Sequence, residues 1–394
     1  MASFIEVEHD KWKGLVSKGN EFFDRYDNGD ASALDQAVAL FLDAATMVAE
    51  VPEFDRSRNY YRLGNALFRR FWNSQDNLSD LEEAIKYCRA ALACLPSRHP
   101  EISTLQIFLG DALSMRFQRT GDRNDLDQAV DRLEDALNNL SLLPSSHLNQ
   151  WKGPTHHAIV LVLRFEQGGD PADLHNAIID CRDSLKLIPE DHPDRISCLN
   201  NLGKALVRRF YQTGERSDLD QGITYTMDAL KTRSIGPSER GVSLNSLGTA
   251  LRNRYEHLGD PVDLDNAILT QREAVELTVF EHYRYLLNLS ECLYVRNKKD
   301  QTCDDLEEAI TIARKILKGL PQWHHDRPLA YHSLSLSLLK RFNLTGDEGD
   351  LLEAAEHCHC ALGLRPLGHP RRLESLKNLS DIATARFLRI YPTL

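Results

Sequence analysis

Apolar residues recur along this chain with a helical period, inside two phrases that alternate from one end to the other. In Leu202, Ala205, Leu206, Arg209 and Phe210 the apolar and aromatic positions fall at i, i+3, i+4 and i+8, one face of a helix. This first phrase, Leu-Gly-x-Ala-Leu-x-x-Arg-Phe, runs from Leu63 to Phe71, Leu109 to Phe117, Leu202 to Phe210 and Leu247 to Tyr255. Looser copies run from Ala158, Leu289, Leu334 and Leu379, and Lys18 to Tyr26 fits the same frame. The second phrase, Asp-Leu-acidic-x-Ala-Ile/Val, appears as Asp80 to Ile85 and Asp125 to Val130, and again at Asp173, Asp218, Asp263, Asp305 and Asp350. A first copy at Ala33 to Val38 lacks only the leading aspartate. Successive phrase leucines from Leu34 to Leu351 stand 47, 45, 48, 45, 45, 42 and 45 residues apart, the mark of stacked supersecondary units.

Turn-forming strings separate the two phrases: Thr120-Gly121-Asp122, Gly168 to Pro171, Thr213-Gly214 and Gly259-Asp260-Pro261. Glycine ends the first helix in a left-handed conformation and aspartate caps the next. A longer link follows the second helix, as His99-Pro100-Glu101, His192 to Arg195, His325 to Pro328 and His369-Pro370-Arg371. Proline there fits the first turn of the next helix, where its missing N–H costs nothing.

The pattern predicts an all-α chain, an α-solenoid of antiparallel helix pairs forming a single repeat domain over residues 1–394. The expected pairs are approximately 11–50, 57–95, 101–143, 150–188, 194–233, 240–278, 282–320 and 328–365, with a capping helix over 371–391. Gly64, Gly110, Gly203 and Gly248, with Ala84, Ala129, Ala177, Ala267 and Ala309, are expected where paired helices approach closely.

A recurring arginine stands nine residues before each aspartate. The pairs are Arg116 and Asp125, Arg164 and Asp173, Arg209 and Asp218, Arg254 and Asp263, Arg296 and Asp305, and Arg341 and Asp350, with ten residues between Arg70 and Asp80. The expectation is a repeated ion pair that locks the first helix of each unit to the start of the second, because a ligand site need not recur in every unit.

Composition narrows the function. The net charge of −11, from 47 basic and 58 acidic side chains, disfavours nucleic acid and anionic membrane as partners. No stretch approaches the roughly 18 apolar residues of a membrane span. The start, Met1 to Glu8, has no basic or apolar signal region, and eight cysteines are sparse, so the expected location is cytoplasmic with reduced thiols. Asp304-Asp305-Leu306-Glu307-Glu308 looks like the magnesium motif of helical terpene synthases or prenyltransferases. It falls in register on the repeat phrase, so a structural role is expected. In His357-Cys358-His359-Cys360 the side chains splay around a helix, and Cys358 aligns with Cys88 and Cys181 at a small core position. No metal, cofactor or catalytic residue is assigned.

The alternating phrases resemble tetratricopeptide repeats, lengthened from the usual 34 residues to about 45. The stretch from Leu202 to Ile223, with His192 to Arg195, is similar to the repeats of fungal proteins that carry a CHAT peptidase or an NTPase domain. The likeness covers Trp12 to Phe387 and carries no catalytic domain with it, since the chain ends soon after Arg386-Phe387; a stand-alone or truncated module is expected. It implies a right-handed superhelix that holds a peptide or partner helix in a concave groove lined by the first helices. It points to the polar residue after Leu-Gly, namely Asn20, Asn65, Asp111, Lys204 and Thr249, with Asn201 beside them. Related carboxylate clamps need a lysine where Val16 stands, and Asp111 puts an acid where they have a base. The expected function is a non-catalytic protein-interaction scaffold, or a regulatory arm docking onto a CHAT-type peptidase or NTPase in trans. Leu373, Leu376, Ile382, Phe387 and Ile390 mark an exposed side of the terminal helix through which copies would self-associate.

Overall fold

The computed structural model describes residues 2–47, 51–74, 77–97, 99–141, 150–232, 236–277, 283–300, 303–322, 324, 326–367, 369 and 371–390. Among these residues there are seventeen α-helices and no strand. The chain divides within one helix into two compact units, Met1–Val160 and Leu161–Leu394.

The first unit holds α1 (Ala2–Asp27), α2 (Ala33–Thr46), α3 (Glu53–Ser74), α4 (Leu78–Ala93), α5 (Ile102–Thr120), α6 (Arg123–Ser141) and the start of α7 (Lys152–Gly168). The second holds the rest of α7, then α8 (Pro171–Leu187), α9 (Asp194–Thr213), α10 (Arg216–Lys231), α11 (Pro237–Leu258) and α12 (Pro261–Glu276). It continues with α13 (Tyr283–Asp300), α14 (Cys303–Gly319), α15 (Arg327–Thr345), α16 (Glu348–Gly363) and α17 (Arg372–Ile390). From α1 to α6 and from α8 to α17 each helix packs against the next, odd against even within a pair and even against odd between pairs.

The two-residue turn inside a pair follows from three side chains. Gly121, Gly214 and Gly346 adopt φ near +75° and donate their N–H to the carbonyls of Phe117, Phe210 and Phe342 at 2.7, 2.8 and 2.7 Å. Glycine adopts that left-handed conformation without a Cβ penalty. Thr120, Thr213 and Thr345 donate back to the carbonyls of Arg116, Arg209 and Arg341, and their hydroxyls accept the N–H two residues on. Asp170, Asp260 and Asp347 then cap α8, α12 and α16 by accepting the N–H of Ala172, Val262 and Gly349.

The histidine links are built as regularly. The Nδ1 atoms of His99, His192, His324 and His369 accept the N–H two residues on at 3.1–3.2 Å. Nη1 of Arg195 and Arg327 donates to two carbonyls at the end of the preceding helix, Leu185 and Ile188, and Leu317 and Leu320. Arg372 does the same with Leu362 and Arg365. In the third link the sequence points to His325, which lies outside the described residues; the capping imidazole is that of His324. A register set by the His-x-Asp-Arg spacing, rather than by proline, accounts for this shift.

Pairs close tightly at the small residues, Gly64 and Gly203 approaching backbone and Gly110 and Gly248 approaching side chains. The phrase alanines Ala37, Ala84, Ala129, Ala177, Ala267, Ala309 and Ala354 have no exposed surface. A Cβ added at Gly203 would stand 2.9 Å from the carbonyl oxygen of Gly222 and 2.6 Å from Thr226 Oγ1. Backbone cannot retreat as a side chain can, so Gly203→Ala is expected to destabilise by about 2 kcal/mol despite alanine's better helix propensity. Gly14→Ala, with no heavy atom within 4 Å of the added carbon, is expected to stabilise by about 0.5–1 kcal/mol. Urea unfolding of the two variants checks both signs.

Candidate functional site

Each recurrent arginine reaches its aspartate through the side-on fork. Nε and Nη2 of Arg116, Arg164, Arg209, Arg254, Arg296 and Arg341 donate to the two carboxylate oxygens of Asp125, Asp173, Asp218, Asp263, Asp305 and Asp350, at 2.5–3.0 Å. Arg70 binds Asp80 in the same way, both bonds at 2.7 Å. The aspartates are buried in the first turn of the second helix, where the helix dipole favours their charge. The hydrogen bond to the aspartate, against the opposing effect of burial, raises the pKa of Arg70, Arg116, Arg209, Arg254 and Arg341.

The acid after the phrase leucine has a separate partner. Asp35 accepts from Arg70 at 3.1 Å and Glu307 from Arg341 at 2.7 Å, while Asp220 and Asp265 stand 3.9 and 3.7 Å from Arg254 and Arg296. One arginine thus holds the aspartate of its own pair and an acid of the preceding pair. A second ladder joins successive even helices: Arg89 to Gln128, Arg182 to Gln221, Arg272 to Glu308, and Arg314 to Glu353. Three carboxylates of the terpene-synthase-like run are therefore engaged, Asp305 by Arg296, Glu307 by Arg341 and Glu308 by Arg272. Among the described residues no group of three or more metal-ligating side chains occurs.

The polar positions after Leu-Gly lie on odd-numbered helices. In the first unit Asn20 and Asn65 line a recess of about 470 Å³ with Phe23, Asp24, Asp27, Phe41 and Arg62. Asn65 Oδ1 accepts from Arg69 at 3.3 Å, and Arg69 also bonds Asp27 and lies over the Phe23 ring. Asp111 bonds the imidazole Nδ1 of His156 at 2.7 Å. In the second unit Lys204 stands 3.2 Å from Glu166. Thr249 donates to the carbonyl of its own helix residue Asn245, and Asn201 is half-buried on α9. The six candidates are thus distributed: Asn20, Asn65 and Asp111 in the first unit, Asn201, Lys204 and Thr249 in the second.

Around Lys204 the structure adds side chains that the repeat phrases do not single out. Arg208 donates through Nε and Nη2 to the same oxygen of Glu166, at 3.2 and 2.8 Å. Arg252 pairs with Glu291, and Arg284 with Asp326. Burial would raise the Glu166 pKa, but Lys204, Arg208 and Arg284 outweigh it and hold the carboxyl far below its usual range. Burial lowers the Lys204 ammonium, with Glu166 opposing. Burial raises the Glu291 carboxyl but is outweighed by Arg252 and Arg371, so it too is held low. Lys204 still keeps 42% of its side-chain surface. Lys204 is thus crowded by protein and neighbouring charges yet still reached by solvent. The one advance signal in the sequence is the doubled arginine, Arg69-Arg70 and Arg208-Arg209, in which the first member turns to an acid 42 residues earlier.

No family model matches the chain, and no curated protein does. Solved structures do. A human IFIT1 dimer with m7Gppp-AAAA is 14% identical over 90% of this chain and 68% of that one, with a TM-score of 0.53. A thermophilic TPR protein of Thermus thermophilus is 17% identical over 60% of this chain and 99% of that one, at 0.43. A tetratricopeptide repeat protein of Parabacteroides merdae is 12% identical over 81% and 98%, at 0.46. Among the described residues the fold is all-α, with helices packed in consecutive pairs.

Proposed function

We propose that this chain is a non-catalytic interaction scaffold that holds a peptide or helix of a protein partner against its odd-numbered helices. The observation that carries this reading is the charged wall of the second unit, where Lys204 and Arg208 share the single carboxylate of Glu166 while Lys204 remains open to solvent. Two cations on one carboxylate leave a local positive surplus in a chain of net charge −11. A partner carboxylate or backbone carbonyl supplies the missing acceptor. Asn20 and Asn65 in their recess, beside Phe23 and Phe41, provide a second patch in the first unit.

The repeat phrase around Leu202 to Ile223 supports a narrower version, in which the partner is a CHAT-type peptidase or an NTPase supplied in trans. The engagement of Asp305, Glu307 and Glu308 by arginines counts against a terpene-synthase-like role, which needs those carboxylates free for magnesium. No helix among the described residues is long and apolar enough to cross a membrane. Affinity capture from the native cell, followed by mass spectrometry, is the test. Lys204→Glu is expected to lower recovery of a specific protein at least about fivefold, and Asn65→Ala to change it separately. Unchanged recovery in both variants would remove the odd-helix face from consideration. Recovery abolished by ribonuclease would make the ligand RNA rather than protein.

A further inference from the structure

Seven arginine–aspartate pairs show what an odd-numbered helix demands of the helix beside it, and α17 makes the same demand with no such helix among the described residues. Ser290 Oγ donates to the carbonyl of Ala309 at 3.3 Å, and six residues later Arg296 takes Asp305. Ser335 Oγ donates to the carbonyl of Ala354 at 2.7 Å, and six residues later Arg341 takes Asp350. In α17 the same spacing returns as Ser380 and Arg386, followed by Phe387 as Arg341 is followed by Phe342. Ser380, Ala383 and Arg386 are exposed, and Arg386 has no acidic partner among the described residues. Phe387 is 49% exposed, against 8% for Phe342, which α16 covers. The opposite face of α17 is already spent, with Ser375, Asn378 and Ile382 buried toward α15 and α16.

We propose that this face of α17 is a receptor for an amphipathic helix of another polypeptide that opens with the Asp-Leu-x-x-Ala-Ile pattern of the chain's own even-numbered helices. Arg386 takes the leading aspartate through its fork, Ser380 takes the alanine carbonyl, and Leu376 and Phe387 take the apolar stripe. The occupant's chemistry is fixed by the pairs inside the molecule, with which this face is continuous. A second copy using its own α17 satisfies only the apolar part, because α17 lacks an aspartate placed for Arg386.

The test uses the full chain and a synthetic peptide of residues 303–320, labelled at Cys303, which carries Asp305 and Ala309. Fluorescence anisotropy is expected to show saturable one-to-one binding. Arg386→Asp in the chain, or Asp305→Arg in the peptide, should each weaken it by at least about tenfold, and combining the two should largely restore it. Phe387→Ser should weaken binding without charge-swap rescue. Absence of saturable binding, or binding indifferent to Arg386→Asp, overturns the proposal. So does a concentration-dependent dimer in sedimentation that Phe387→Ser disperses, which assigns the face to a second copy.

Discussion

Arg341→Ala is expected to destabilise the second unit by about 3 kcal/mol, because it strands a buried carboxylate. Asp350 keeps 5% of its side-chain surface, and Arg341 supplies both of its fork bonds while also holding Glu307. For a unit of this size the loss corresponds to roughly 6–12 °C in Tm, read by calorimetry. Asp220→Ala, which removes a half-exposed carboxylate 3.9 Å from Arg254, should stay within about 0.5 kcal/mol. The informative third variant is Arg341→Met with Asp350→Leu. Desolvating two charges offsets most of their attraction, so the apolar pair is expected to recover most of the loss. The locks on this view fix register between helices more than they add net stability. A mild Arg341→Ala, within about 0.5 kcal/mol, would dismiss them as surface pairs.

Acid sensitivity is the second large effect. His332 is buried on α15 beside Arg365 and Arg371, with Glu374 and Glu291 as the nearby acids. Burial first, then the two arginines, push the imidazole from 6.5 down to about 3. In the folded chain it stays neutral where the unfolded chain takes up a proton. Its contribution is therefore fully present above pH 6.5 and is lost as pH falls toward the folded value. Between pH 7 and pH 4 this amounts to about 3 kcal/mol. Glu166, held low by Lys204 and Arg208, and Glu291, held low by Arg252, add to the loss only once pH approaches the unfolded carboxylate range near 4.5. Urea unfolding from pH 7 to pH 5 thus isolates the imidazole, and His332→Gln should flatten the slope there. An unchanged slope would contradict the assignment.

The face of α17 shows why some features escaped the sequence. Ile382 reads there as part of an exposed apolar side, yet it is buried with Leu338 and Phe342 in the core that α15 and α16 share. Apolar residues occupy both faces of this helix. Asn378 and Ser375, one turn and two turns earlier, lie on the buried face with Ile382, whereas Leu373, Leu376 and Phe387 remain exposed. Ile390 lies outside the residues whose side chains are described. Which face is buried depends on which neighbours exist, and periodicity alone does not say.

Periodicity and spacing by themselves determined the all-helical class, the two-helix unit of about 45 residues and the glycine turns, because each of these is set by contacts within a few residues. The arginine–aspartate spacing of nine was legible for the same reason, since a two-residue turn brings those positions together without any help from distant chain. What only the tertiary structure decided are the contacts across units: Arg208 with Glu166, Arg252 with Glu291, Arg314 with Glu353, and the burial of His332. Those partners lie 39 to 42 residues apart and meet only when one pair stacks on the next. Stacking geometry, not local chemistry, chooses which of the many charged side chains on each helix come face to face.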